Sequence, residues 1–159
     1  MGKGTTSIPP SAFIGCENLQ SVTVPKNCTI IEESAFRDCI NLKYSNILSG
    51  GEYAALLIGN HAFDGCNSLE SININLKALD YTSYHIGEYA FANCKNLKNV
   101  SWQNYSYLGD HMFANCESLK TVNIPNNTNY IFPYCLADIP NIESITIPNK
   151  IWMIPDGCF

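Results

Sequence analysis

Three histidines, eight cysteines and fourteen acidic residues are the side chains of this sequence that could do chemistry. Such groups hold a metal ion or act as general acids and bases where several of them converge. His61 and His111 occupy the same position of a repeated pattern, with Tyr89 at that position between them. Two intervening strand spacings would separate the histidines by about 10 Å, which is too far for one shared metal ion. We therefore predict no metal site and no cofactor.

The carboxylates also fail to form a catalytic pattern. Residues such as Glu32, Asp64 and Glu143 scatter around the repeat instead of recurring at one converging position. The sequence contains no Gly-rich phosphate loop and no serine-nucleophile motif. These observations predict a protein that is not an enzyme.

The cysteines follow the repeat, which indicates packing instead of chemistry. Five of them share one repeat position: Cys16, Cys39, Cys66, Cys94 and Cys116. The sixth copy of the repeat has Ile139 at this position. A buried free cysteine behaves as a small hydrophobic residue, and no C-x₂-C pair points to zinc. We predict reduced, packed thiols, although adjacent coils would also bring sulfurs within disulfide distance. Cys28 stands outside the pattern, and we expect it to be the reactive thiol.

A repeated unit must position all of these residues. It reads Ile, three residues, Ala-Phe, two residues, Cys, two residues, Leu, two residues, and then two Val or Ile residues separated by one. Its aromatic position recurs at intervals of 23, 27, 28, 22, 23 and 23 residues, at Phe13, Phe36, Phe63, Phe91, Phe113, Leu136 and Phe159. A period near 23 lies within the range of leucine-rich repeats, roughly 20–29 residues. Stacked coils of this kind bury one continuous core.

Each coil has two predicted sides. The end of a segment such as Leu119 to Ile124 alternates apolar and polar residues, which predicts a half-buried strand that pairs with its equivalents in parallel. The spacing of three between Phe and Cys predicts a short helical turn. The predicted fold is an α/β repeat solenoid, a right-handed coil with a parallel β-sheet on the concave side and short helical or 3₁₀ turns on the convex side. We expect residues 1–7 to be a flexible lead and residues 8–159 to be a single domain of six full repeats of about 23 residues and a truncated seventh.

The pattern resembles the BspA-like leucine-rich repeats, which carry the same I-x-x-x-A-F-x-x-C-x-x-L-x-x-I-x-I-P unit. Members of that family are largely secreted or surface proteins of bacteria and some parasitic protists. The resemblance implies an extracellular or cell-surface location and adhesion to matrix or host surface proteins. The start of this chain, MGKGTTS, has no apolar segment of the kind found in signal peptides.

Composition narrows the choice of partner. The hydrophobic content of 46% is ample for a core, and charged residues make up only 14% of the chain. The net charge of −5 argues against nucleic acid, which requires a basic face. No apolar run approaches the roughly 18 residues of a membrane span. A protein partner is the class that remains.

The outward strand positions form polar columns across the predicted concave sheet. The simplest interpretation is a solvated face, but extended concave sheets are also the surfaces with which solenoids bind partners. Two insertions, Ser49 to Leu57 and Asn75 to His85, either extend the core or add to a binding face. The candidate partner-binding residues are Lys43, Tyr44, Glu70, Asn73, Lys98, Ser101, Tyr81 and Tyr84. We predict non-catalytic, adhesion-type protein binding; the alternative is a structural spacer that self-associates through its uncapped ends.

Overall fold

The computed structural model describes residues 4–25, 27–47, 57–74, 85–102 and 107–159. These residues form twelve short β-strands in three parallel sheets. Every coil contributes one two-residue strand and then one strand of three or four residues, with turns between them. The strands pair only with the equivalent strands of neighbouring coils, so the coils stack as a solenoid.

The first sheet joins the two-residue strands at the start of each coil. Each of these strands has one outward residue and then one inward Ile or Leu, and both pair with the equivalent residues of the next coil. The outward Ile30 pairs with Leu57, and the inward Ile31 pairs with Ile58. The sequence prediction missed this six-stranded sheet. Its strands are β1 (Ser7–Ile8), β3 (Ile30–Ile31), β5 (Leu57–Ile58), β7 (His85–Ile86), β9 (Tyr107–Leu108) and β11 (Tyr130–Ile131).

The longer strands form the predicted parallel sheet. In β2 exposed and buried residues alternate, so that Val22 and Val24 enter the core. The register keeps equivalent residues side by side, and Thr23, Asn46, Asn73 and Ser101 form one row. The strands are β2 (Ser21–Val24), β4 (Tyr44–Ile47), β6 (Ser71–Ile74), β8 (Asn99–Trp102), β10 (Thr121–Asn123) and β12 (Ser144–Thr146).

This sheet divides into four strands and two strands between β8 and β10. Trp102 lies at the division, in the register position that Ile74 fills on the neighbouring strand. Its indole is buried and packs at a tilt against Phe113, with ring centroids 5.5 Å apart. The indole Nε1 donates a hydrogen bond to the Asn123 carbonyl at 2.5 Å. A side-chain hydrogen bond therefore links two coils where strand pairing stops.

The predicted helical turns are wrong within the described residues, where hydrogen-bonded turns occupy the side opposite the strands. The spacing of three between Phe and Cys does correspond to a hydrogen-bonded turn, because the Cys66 N–H donates to the Phe63 carbonyl at 3.2 Å in the same coil. Alternate N–H groups, however, donate to the next coil, as from Phe63 to the Ala90 carbonyl at 2.8 Å. In an α-helix these N–H groups would donate to carbonyls of the same helix. Here they form hydrogen bonds between coils instead.

Left-handed residues enforce this alternation. In each complete coil, the residue before the Ala position and the residue before the Cys position have positive φ, as at His61 (φ 55°) and Asn93 (φ 57°). The position before Cys holds Gly15, Asp38, Gly65, Asn93, Asn115 and Asp138, residue types that tolerate this conformation. A right-handed helical turn cannot continue through such residues.

The core consists of the repeat columns predicted from the sequence. In the second coil Ile31, Ala35, Phe36, Cys39 and Leu42 are all 0% exposed. The phenylalanines stack face to face from coil to coil, with ring centroids 5.1 to 5.8 Å apart between Phe13 and Phe113. The rings of Phe36, Phe63 and Phe91 thus stack on the phenylalanine rings of both neighbouring coils.

Asparagine side chains form hydrogen bonds between neighbouring coils just before the longer strands. The Asn41, Asn96 and Asn141 amides donate to main-chain carbonyls of the preceding coil at 2.8, 2.9 and 2.7 Å. These bonds satisfy carbonyls in the turn from Cys to strand.

The first coil begins slightly earlier than the sequence boundary. Ser7 pairs with Ile30 in β1 and β3, and the Thr6 carbonyl accepts a hydrogen bond from the Thr29 N–H at 2.8 Å. Thr6 and Ser7 therefore take part in the sheet, although residues 1–7 were expected to be a flexible lead.

Candidate functional site

The outward side chains of the longer strands form one polar surface, which we call the strand face. Lys43, Glu70 and Lys98 directly precede β4, β6 and β8, and backbone bonds continue the ladder through them. The Glu70 N–H donates to the Lys43 carbonyl at 3.3 Å, and the Lys98 N–H donates to the Glu70 carbonyl at 3.0 Å. The ladder thus holds three alternating charges in one row across three coils.

Six of the eight candidate partner-binding residues lie together on this face. Tyr44 stands one row further along, with 56% of its surface exposed and in register with Ser71 and Asn99. Asn73 and Ser101 are exposed neighbours two rows beyond Tyr44. The other two candidates, Tyr81 and Tyr84, lie outside the described residues, as do most of the two insertions.

The charged residues of this row differ in whether they form ion pairs with each other. Lys120 and Glu143, in the last two coils, form an exposed ion pair with a hydrogen bond. Among the described residues, Lys43, Glu70 and Lys98 have no comparable ion pair. The half of the strand face that carries Tyr44 therefore presents charges available to a partner.

A second ordered surface runs along the turns on the other side of the coils. The rings of His61, Tyr89, His111 and Tyr134 stack in sequence, with centroids 5.2, 5.0 and 5.4 Å apart and nearly parallel planes. Tyr89 lies between the two imidazoles, as their shared repeat position predicted. Among the described residues, no group of three or more His, Cys, Asp or Glu side chains could hold a metal ion.

Asp64 anchors this aromatic column. Its side chain is largely buried and accepts hydrogen bonds from His61 Nδ1 at 2.9 Å and from the Asn93 amide at 2.7 Å. Arg37 Nε lies 3.7 Å from the same carboxylate. The Asn93 amide oxygen in turn accepts from the Asn115 amide at 3.0 Å. This network satisfies a buried charge and joins four coils, which is a structural role.

The cysteine slot forms a thiol ladder in the core. The thiols of Cys39, Cys66, Cys94 and Cys116 donate to phenylalanine carbonyls of the preceding coil at 3.1 to 3.3 Å. Burial raises the pKa of Cys39 to about 11 and that of Cys116 to about 12. The prediction of packed, reduced thiols is confirmed for this slot, except at Cys16 in the first coil, which is exposed.

The expected reactivity of Cys28 is wrong. Cys28 is 0% exposed, its thiol donates to the Ile30 carbonyl at 3.3 Å, and burial raises its pKa. The loop lies outside the repeat pattern, yet it still folds its one small apolar side chain into the core.

We expect Cys16 to be the one thiol that reacts rapidly with a disulfide reagent in the native protein. A thiolate reacts and a buried thiol does not, so denaturation should expose the other seven. Release of the chromophoric thiolate from Ellman's reagent at pH 8 measures the count. Cys16→Ser should abolish the rapid phase, whereas Cys28→Ser should preserve it; the reverse pattern would contradict the burial of Cys28.

Stacked coils, parallel ladders between them and a continuous phenylalanine core define the class of leucine-rich-repeat solenoids. The family described as "BspA type Leucine rich repeat region" matches the chain in six copies, over residues 1–84 and 57–159. The chain belongs to this family, which confirms the resemblance seen in the sequence. The family is one of repeat proteins that generally mediate interactions between proteins.

Solved structures support the same fold. A leucine-rich repeat protein from Bacteroides ovatus is 28% identical over 92% of this chain and 42% of that chain, with a TM-score of 0.60. The T. pallidum leucine-rich repeat protein is 21% identical over 90% of this chain and 52% of that chain, with a TM-score of 0.55. A leucine-rich cell surface protein from Faecalibacterium prausnitzii is 22% identical over 99% of this chain and 56% of that chain, with a TM-score of 0.54.

This chain therefore spans only 42 to 56% of the length of those solved chains. No curated protein matches its sequence. In the part of the chain that the structure describes, no helix has the length and apolar character to cross a membrane.

Proposed function

We propose that the protein is a non-catalytic binding module that holds a partner protein on its strand face. The observation that carries the proposal is the row of Lys43, Glu70 and Lys98 beside the exposed ring of Tyr44. An exposed tyrosine offers a large, rigid contact area, and fixed alternating charges select a complementary partner. The family's general role in protein interaction supports this proposal.

The partner class we propose is an extracellular-matrix or host surface protein, with the module displayed outside the cell. A structural relative described as a cell surface protein supports this location. The mixed charge of the row suits a polar protein surface, and the net charge of −5 disfavours nucleic acid.

The triple variant Lys43→Ala/Tyr44→Ala/Glu70→Ala tests this proposal. Binding to a panel of purified matrix proteins is measured by biolayer interferometry. We expect at least one protein to bind the parent and to bind the variant at least tenfold more weakly, because aromatic hot-spot residues typically contribute 2 kcal/mol or more. All three residues are exposed, so the fold should remain unchanged.

A chemically matched control exists elsewhere on the molecule. Lys95, Glu117 and Tyr134 are also exposed and lie outside the strand face. Lys95→Ala/Glu117→Ala/Tyr134→Ala should bind as the parent does. Equal loss in both triple variants would exclude the strand face as the specific surface.

The alternative function is a structural spacer that self-associates through its ends. Trp152 is 78% exposed, and this apolar side chain favours that alternative. A spacer would bind no matrix protein and would be indifferent to the strand-face variant, whereas its molar mass by light scattering would rise with concentration.

A further inference from the structure

A separate trough crosses the short-strand sheet, which is a different sheet from the strand face. Its floor is the backbone of Gly59, Gly87 and Gly109, which occupy the same position in three successive coils. The space has a volume of about 340 Å³. This size admits a single side chain with its neighbouring backbone, but not a folded surface. We call this space the glycine trough.

The sequence leaves the trough open by omitting side chains from one repeat position. The coils on either side carry Glu32 and Phe132 at the position of the three glycines. Phe132 is 37% exposed, lines the trough at the sixth coil and packs against the Tyr107 and Tyr130 rings. The trough therefore has an aromatic wall at one end.

The long walls of the trough differ in chemistry. One wall carries Asn60, Glu88 and Asp110, which follow the three glycines in successive coils. The opposite wall carries Leu57 and His85, with the His85 ring stacked on Tyr107 at 4.5 Å. The site thus combines two carboxylates with apolar and aromatic surface.

The two carboxylates have no cationic partner in the described part of the chain. Neither Glu88 nor Asp110 takes part in an ion pair there, and no Lys or Arg lines the trough. The amide oxygen of Asn60 already accepts a hydrogen bond from the Glu88 backbone N–H at 3.0 Å. The uncompensated negative charge of this wall attracts a cation.

We infer that the glycine trough binds an arginine side chain on an extended segment of a partner protein. Glu88 and Asp110 occupy one repeat position on adjacent coils, whose backbones stand about 5 Å apart, and the fork of a guanidinium can bridge two carboxylates so placed with two hydrogen bonds. The aliphatic stem of the arginine would pack on Phe132, which lies in the coil next to that of Asp110, as long basic side chains do on apolar surface. A trough three coils long accommodates about three residues of extended chain at 3.3 Å per residue.

The probe for this site is the blocked peptide acetyl-Gly-Arg-Gly-amide, titrated into ¹⁵N-labelled protein and followed by NMR. We expect saturable shifts of the Gly59, Gly87 and Gly109 amide signals, with a dissociation constant on the order of 1 mM, typical of one small contact. Raising the salt concentration to 0.5 M should weaken binding, because the contact is partly exposed to solvent. The matching peptide with citrulline, a neutral relative of arginine, should not bind.

Two double variants decide the location. Glu88→Gln/Asp110→Asn should weaken the arginine peptide at least tenfold. Glu70→Gln/Glu143→Gln changes the net charge by the same amount on the strand face and should leave binding unchanged. Equal weakening in both variants, equal binding of the citrulline peptide, or no shift at the three glycines would overturn the inference. Binding of free L-arginine without binding of the blocked peptide would overturn the assignment to a protein segment.

Arginine binding in the glycine trough and partner binding on the strand face can be tested independently. The strand-face triple variant retains Glu88 and Asp110, so it should still bind the arginine peptide. The trough variant retains Tyr44 and should still bind the matrix partner. Loss of one activity therefore identifies which of the two surfaces has failed.

Discussion

Replacing Phe63 by alanine is expected to lower the free energy of unfolding by about 3–5 kcal/mol, the range typical of this truncation in a packed core. The Phe63 ring is fully buried and stacks on Phe36 at 5.1 Å and on Phe91 at 5.3 Å. The variant loses apolar burial, leaves a cavity and interrupts two aromatic pairs, each worth about 0.5–1.5 kcal/mol beyond area burial. Many domains have only 5–15 kcal/mol in total.

The chain supplies two controls for this substitution. Phe13 lies at the end of the stack, is only partly buried and contacts the Phe36 ring at 5.1 Å on one side. Phe13→Ala should therefore cost less than half as much. Leucine occupies the same repeat position at Leu136, which is 1% exposed, so Phe63→Leu keeps most of the apolar burial and should cost less than Phe63→Ala, although it also loses both aromatic pairs.

Urea unfolding followed by circular dichroism measures the three variants. The slope of the transition must be compared as well as its midpoint, because a solenoid weakened in the middle can unfold in two parts. Equal losses at Phe13 and Phe63 would contradict a core in which each ring depends on both neighbours.

The sequence predicts the repeat core well because burial acts on every copy in the same way. Ala35, Phe36, Cys39 and Leu42 recur at fixed spacing, and each must face the interior for the coils to stack. The alternation in segments such as Ser21 to Val24 likewise predicts which residues point inward. Six candidate site residues follow from this register, since the residues between the inward positions must face outward.

The turns were mispredicted because spacing alone does not distinguish a helical turn from a chain of left-handed turns. The signal was present at the residue before each cysteine of the shared repeat position, where only Gly, Asp and Asn occur, as in Asp38, Gly65 and Asn93. These types favour positive φ, and reading them together would have excluded a helix.

Other features depend on packing between coils. Cys28 is buried where its turn closes against the core, and Thr128, which likewise follows a proline by three residues, is buried in the same way. The sheet divides at Trp102, where an indole takes the place of a smaller apolar residue and bonds to the Asn123 carbonyl. The glycine trough likewise appears only once three coils stand side by side.

Gly87→Ala is expected to destabilise the protein by about 1–3 kcal/mol, as overpacking of a tight interior does. A Cβ atom at Gly87 would lie 2.6 Å from the Asn60 backbone nitrogen and 2.7 Å from the Gly59 carbonyl carbon. Backbone atoms cannot rotate away as a side chain can, so the two coils would have to separate. This separation would also change the shape of the trough floor.

Hydrogen-bond lengths along this repeat position are shortest at the glycines. The N–H groups of Gly59, Gly87 and Gly109 donate to the preceding coil at 2.7, 2.8 and 2.9 Å, whereas the equivalent bonds of Glu32 and Phe132 are 3.0 and 3.4 Å long. Alanine at position 87 should lengthen the bond to Ile58 toward these values. Faster amide hydrogen exchange at residue 87 would report this lengthening.

Gly4→Ala is the matched control, because nothing lies within 4 Å of a Cβ at that site. Its unfolding free energy should stay within about 0.5 kcal/mol of the parent, as for most surface substitutions. Gly87→Ala should also abolish the shifts that the arginine peptide produces at Gly59 and Gly109. An alanine variant with parental stability and intact peptide binding would show that the coils have room for the methyl group. Close backbone approach would then no longer explain why three successive coils carry glycine at this position.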